Sequence, residues 1–201
     1  MMDEQKETTK EKILRAAAKL FSESGYDKVT TREIANAIGI NSASIYYHFT
    51  SKDEILKSLY RFYSEERNKK SPDKGELLRL AETEHPHVVL MRSEFHFDEE
   101  YRGMLDQILV TAVREIGADP EAERFIKENI FDSVTDTLKP LFERMVELRK
   151  IKPFDIDTFL RVLSNYCFST AALNNSPFRQ DVREYQEGMA FIFSMITVLD
   201  G

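Results

Sequence analysis

Cysteine is almost missing from this chain: one residue in 201, Cys167. A single thiol excludes an internal disulfide framework and a thiolate-rich zinc site. Set between Tyr166 and Phe168, it reads as a small core residue. Glycine and proline are scarce, at seven and six residues, and tryptophan is absent. A sandwich or barrel needs more turn chemistry than that. Long apolar runs are lacking too. The most apolar stretch, Met189 to Leu199, is about half the length needed to span a bilayer and is broken by Ser194 and Thr197. The first residues, MMDEQKETTKEK, carry charge where a secretory leader is apolar, so no membrane is expected and cytoplasm is the expected location. There is no nucleophile elbow, phosphate-binding loop, dinucleotide fingerprint or HExxH pattern, and no enzyme is expected.

Positive charge is in deficit, with a formal net charge of −7. The deficit is uneven. Residues 1–50 hold seven basic and seven acidic side chains, and the whole excess of acid lies beyond them. A neutral head on an acidic body suits a protein that meets nucleic acid at one end only; chance is the plain alternative.

What the sequence has in quantity is helical periodicity. Ile13, Leu14, Ala17, Leu20 and Phe21 form one apolar face; Tyr101, Met104, Leu105, Ile108, Leu109, Ala112, Val113 and Ile116 form another. No comparable stretch alternates with period two, so the fold is expected to be all-α, with about nine or ten helices. Thr8 to Glu11, Thr30 to Glu33 and Ser51 to Glu54 each have the spacing of a capping box. Asp119-Pro120 has the pattern of an N-cap followed by proline at the first helical position. The helices predicted from these signals are 8–24, 31–38, 42–48, 52–70, 74–84, 87–96, 99–117, 120–149, 154–173 and 180–199. Pro86 should separate two of them and Pro140 should kink or break the long one.

The segment from Thr31 to Phe49, TREIANAIGINSASIYYHF, crowds short periodic pieces together with tight connections. Ala35 is small where two helices must approach. Gly39 stands at the turn, where a positive φ is needed, and Ile45 points back to the core. This spacing is that of a helix-turn-helix whose second helix enters the major groove. Asn41 is placed to cap that helix. Ser42, Ala43 and Ser44 fill its first turn, small enough for close approach to bases or phosphate. Tyr46, Tyr47 and His48 line its exposed side. Phe21, Tyr26 and Phe49 read as core.

Residues 8–56 resemble the DNA-binding head of the tetracycline-repressor (TetR) family. The pieces that carry the likeness are ILRAAAKLFSESGYDKVTTREIANAIGI and NSASIYYHFTSKDEIL. The resemblance implies phosphate contacts from Tyr46 and its neighbours, including His48. The N-terminal amides of the preceding helix, begun by Thr30 or Thr31, can receive a phosphate, and Lys52 should reach the backbone on the other flank. For Tyr47 and His48 the alternative is the ordinary surface of a packed helix; Arg32 is either a contact or solvated. One departure is plain: the recognition helix has no Lys or Arg, although the family often places a basic residue at Ser42 and glycine at Ala43. Lys10, Lys12, Lys28 and Lys52 would then supply most of the charge, and binding should have a shallow salt slope.

The expected organisation is a three-helix head over residues 1–51 and a larger helical body over 52–201 for ligand binding and dimerisation. Nine of the twelve residues from Gly188 to Leu199 are apolar, more than one buried stripe requires. The resemblance pairs the last two helices with their copies in a four-helix bundle. This makes Phe159, Val162, Leu163, Tyr185, Met189, Ile192, Phe193 and Ile196 candidate homodimer contacts. It also implies a pocket for a small-molecule effector, with Phe62, Met91, Phe95, Met104 and Tyr166 as candidates; core packing is the competing reading. His85, His87 and His96 with Glu94 and Asp98 offer no helical ligand pair, so no metal or cofactor is expected. The expected function is a dimeric regulator that binds a pseudo-palindromic operator in double-stranded DNA and is released by its effector. The alternative is a helical interaction module, or an activator, whose head binds DNA weakly or not at all.

Overall fold

In the computed structural model, residues 7–93, 99–173 and 182–196 are described. Helices follow the order α1 Thr9–Ser24, α2 Thr31–Ala37, α3 Ser42–His48, α4 Lys52–Lys70, α5 Lys74–Thr83, α6 Pro86–Ser93, α7 Glu99–Glu115, α8 Pro120–Ile126, α9 Ser133–Glu147, α10 Ile156–Leu173 and α11 Val182–Ser194, with a π-helical turn over Lys127–Asp132 joining α8 to α9. No strand occurs among the described residues, and none of the described helices is long and apolar enough to cross a membrane.

The caps work as their side chains dictate. Thr8 and Thr30 each accept the N3 amide, while Glu11 and Glu33 reach back to the cap amide. The third box is shifted. Ser51 accepts the amide of Glu54, but the Glu54 carboxylate goes one residue further, to the amide and hydroxyl of Thr50. Hydrogen bonds to Thr8, Thr30 and Thr50 hold the carboxyls of Glu11, Glu33 and Glu54 below the ordinary glutamate value of 4.5. Their stabilisation is therefore complete above that value and is lost as pH falls through the lowered one. Asp119 caps α8 through the Glu121 amide, ahead of Pro120.

Two compact units form, and they do not follow the expected division at residue 51. The first comprises residues 1–66 and 98–123, the second 67–97 and 124–201. The reason is the packing of α1, which lies against α7 as well as α2. The head helices thus share a core with α7 instead of closing on themselves. Ile13, Ala17, Ala18, Phe21, Ile34, Ala35 and Ile45 are fully buried, as is Ile108 of α7. Each large side chain among them contributes roughly 1.5–3 kcal/mol. Arg114, at the end of α7, donates to the carbonyl of Ser22, at the end of α1. The apolar face of α7 stops before its expected end: Ile116 lies beyond the helix and is 40% exposed.

In the second unit α5, α6, α10 and the π turn pack around α9. Its core runs from Leu77 and Leu90 through Leu141, Phe142 and Met145 to Leu163, Ile192 and Ile196. Phe142, Phe154 and Phe159 meet edge to face at 5.4–5.6 Å. Pro140 does not break the long helix, because α9 runs through it with Leu138, Leu141, Phe142 and Met145 held in the core. The irregularity sits one helical stretch earlier. There Asn129 donates to the Phe125 carbonyl and the Ser133 hydroxyl to the carbonyls of Asn129 and Ile130. These side chains take up the backbone acceptors that a widened turn leaves misaligned.

Helices α10 and α11 are brought together at Gly188. A Cβ on this glycine would lie 2.0 Å from the Tyr166 hydroxyl and 2.6 Å from its ring. The close approach lets Tyr166 stack on Tyr185 at 5.8 Å and donate to the Tyr185 carbonyl. Gly188→Ala should displace the Tyr166 ring and cost about 1–3 kcal/mol in urea unfolding; unchanged stability would show that the ring is not confined.

Candidate nucleic-acid interface

Helix α3 is only seven residues long, too short to persist alone in water. Its ends are fixed by neighbours. The Asn41 side chain accepts the amide of Ala43 at 2.9 Å, and the Phe49 amide donates to the Ile45 carbonyl at 2.9 Å. Ile45 and Phe49 are buried. Between α2 and α3 the chain turns at Gly39, whose φ of +70° is a conformation that glycine adopts without strain. The Ile40 amide closes the turn on the Ala35 carbonyl at 3.0 Å.

With Ile45 anchored, the rest of α3 faces out. Tyr47 is 88% exposed and Tyr46 57%. Ala43 is exposed, and Ser42, Ser44 and His48 are half-buried. The His48 ring meets Tyr47 edge to face at 5.3 Å. The Tyr46 hydroxyl shares a 3.2 Å hydrogen bond with that of Thr31, tying α3 to the start of α2. This brings Thr30, Thr31, Arg32, Asn41 and the exposed residues of α3 together at the helix-turn-helix, with Thr30 and Arg32 open to solvent. The surface offers hydroxyls, an imidazole and aromatic edges, and a single guanidinium.

Lys52 departs from its expected part. Its ammonium donates to the carbonyls of Tyr26 at 2.8 Å and Val29 at 3.0 Å, and lies 4.1 Å from the centre of the Tyr26 ring. It closes the turn between α1 and α2 and fixes the angle at which α2 leaves. Sequence alone could not reveal this, because the accepting carbonyls carry no residue signature. Lys10 lies over the Phe49 ring at 5.6 Å, while Lys12 and Lys28 are exposed.

Residues 13–59 match the family model described as bacterial regulatory proteins, tetR family. Along this segment the head of the chain is therefore similar to that of the tetR family. Over 48 residues it is 52% identical to the biofilm operon icaADBC HTH-type negative transcriptional regulator IcaR of Staphylococcus aureus. That match spans 24% of this chain and 26% of the relative's length. Along nearly the whole chain the fold is similar to that of the ketosteroid transcriptional regulator KstR2 of Mycobacterium tuberculosis: TM-score 0.69, 20% identity, 97% of this chain and 98% of that one. A structure described as a gamma-butyrolactone receptor (ArpA-like protein) aligns with TM-score 0.62 and 17% identity over 92% and 86% of the two chains.

Beyond the head, the residues expected to line a pocket are scattered. Phe62 meets Tyr101 edge to face at 5.5 Å and Met104 is buried, both in the first unit, whereas Tyr166 lies in the second. Phe95 and the Met91 side chain lie outside what is described, as do Glu94, His96 and Asp98. His85 and His87 are neighbours at 5.2 Å, and no described group of three or more His, Cys, Asp or Glu could hold a metal ion. The candidate dimer contacts are corrected in phase. Phe159, Leu163, Met189, Ile192, Phe193 and Ile196 are buried in the single chain's own core, and Tyr185 stacks on Tyr166. Among the described residues, the large apolar side chains exposed on α10, on α11 and just past its end are Val162 at 52%, Phe191 at 69% and Met195 at 64%. Val162 was among the candidates; the four-residue spacing of Phe191 and Met195 was the available signal for the other two.

Lys52→Met keeps the stem and removes both hydrogen bonds and the cation over Tyr26. We expect a loss of about 1–3 kcal/mol in urea unfolding. Full retention of stability would show that the ammonium is free to serve elsewhere.

Proposed function

We propose that this protein is a DNA-binding transcriptional regulator. It acts as a ligand-responsive repressor in the cytoplasm and binds a pseudo-palindromic operator as a homodimer. The observation that carries the reading is α3: a capped, anchored helix within the family-matched segment, presenting Tyr46 and Tyr47 beside the exposed start of α2. Hydroxyl and aromatic contacts to phosphate set the register of such a helix, while Ser42, Ala43 and Ser44 permit close approach to base edges. One head buries too little surface for useful specificity, so two are needed, held by a dimer. Val162, Phe191 and Met195 supply the apolar surface for that contact. Proteins of the same fold include one named as a gamma-butyrolactone receptor, which supports a small-molecule effector here as well. Effector and operator would then weaken each other's binding reciprocally.

A second reading has its own observation. The recognition helix has no Lys or Arg, and Lys52 is turned inward. A head so poor in free cations could belong to an interaction module, or to an activator that binds DNA weakly.

Fluorescence anisotropy with duplex DNA from upstream of the protein's own coding sequence separates the two. The repressor reading expects binding at low salt with a shallow salt slope. It also expects Tyr47→Ala to weaken binding about tenfold or more, with the circular dichroism unchanged because Tyr47 is almost fully exposed. No binding at low salt, or no effect of Tyr47→Ala, would count against it.

A further inference from the structure

Successive residues of a helix are turned by about 100°, so the buried anchor Ile45 fixes where every other side chain of α3 stands. Ser42 and His48 are each about 60° from it, and Ser44 and Tyr46 about 100°. The first three are half-buried, and Tyr46 is held on the flank by its bond to the Thr31 hydroxyl. Ala43 and Tyr47 are each about 160° from Ile45, one turn apart. They form the outermost ridge of the helix, with Ala43 exposed and Tyr47 88% exposed. That ridge consists of a methyl group and an aromatic ring. Side chains that read bases by paired hydrogen bonds are Arg and Lys for guanine, Asn and Gln for adenine, and Asp and Glu for cytosine. None of these six types occurs between Ser42 and His48. Asn41, just ahead of the helix, is used as its cap, and Arg32 stands in the first turn of α2. One base offers an apolar handle in the major groove: thymine, through its C5-methyl group.

We propose that α3 reads its operator through thymine methyl groups, with Ala43 as the specificity-determining residue and the Tyr47 ring as a second contact one turn along. The inference rests on the regulator reading above and names the base chemistry that this helix selects. A methyl-to-methyl contact takes apolar surface of both partners out of water, and it is lost when either methyl is missing. Glycine at position 43 would leave the ridge bare; alanine supplies one methyl and no polar atom to its side chain. The Ala43 amide is itself occupied, donating to the Asn41 side chain at 2.9 Å, so the position meets a base edge only through its methyl. Half-sites should therefore carry thymine, on either strand, where α3 lies, with no guanine required there.

Duplexes bound by the full chain are selected from a randomised pool at low salt. Each thymine of the selected half-site is then replaced in turn by deoxyuridine, which removes one methyl group and keeps the base pair. We expect affinity, read by anisotropy, to fall about three- to fivefold at one or two thymines of each half-site, the size of one buried methyl group. In Ala43→Gly the loss at one of those positions should vanish, so that thymine and uracil bind alike there. The ratio of the two affinities is the readout, because glycine also weakens the helix and lowers both together. Three results would overturn the proposal: unchanged affinity at every deoxyuridine, selected half-sites that require guanine or cytosine instead of thymine under α3, or a full thymine-to-uracil ratio retained in Ala43→Gly. Each of these leaves DNA binding itself intact. Failure to select any duplex would instead overturn the regulator reading, and this inference with it.

Discussion

Two seven-residue helices cannot persist in water by themselves, and everything at the N-terminal head of this protein depends on meeting that constraint. Helix α1 answers most of it by burying Ile13, Ala17, Ala18 and Phe21 against α2 and α7. The Thr30 capping box fixes where α2 begins, and Asn41 fixes where α3 begins. Lys52 then ties the start of α4 to the turn before α2. The exposed faces of Tyr46 and Tyr47 are a consequence: Ile45 is anchored, and helical geometry turns its neighbours outward.

This arrangement gives the head an unusual balance between shape and charge. A cation that could have met phosphate is used to hold the turn. The contact surface therefore consists of hydroxyls, aromatic rings and one arginine. Such groups position a helix well and attract DNA weakly from a distance. On the proposed reading, affinity comes from geometry, with two heads at a spacing set by a dimer. On that reading the exposed apolar residues of α10 and α11, far along the sequence, matter to what α3 does.

Much of this was legible in the sequence, because helical period and caps are local signals. The Thr8 and Thr30 boxes, the Asp119-Pro120 start and the Gly39 turn all follow from side chains within a few residues of one another. What was not legible depends on partners distant in sequence or on backbone atoms. Lys52 finds two carbonyls more than twenty residues away. The Ser51 box fails because the carboxylate of Glu54 prefers the amide and hydroxyl of Thr50. Helix α11 is apolar on more than one side, so composition alone could not say which side the single chain buries; Gly188 and Tyr166 decide it. The π turn depends on two polar side chains, Asn129 and Ser133, competing for backbone carbonyls, a pattern that hydrophobic period does not register.

The claim that shape and pairing carry this head is tested most directly by hydroxyl-radical footprinting of the full chain on genomic fragments that it selects at low salt. The account predicts two protected patches related by two-fold symmetry, their centres about 10 base pairs or a small multiple apart. A single unpaired patch, or no protection at low salt, would contradict it.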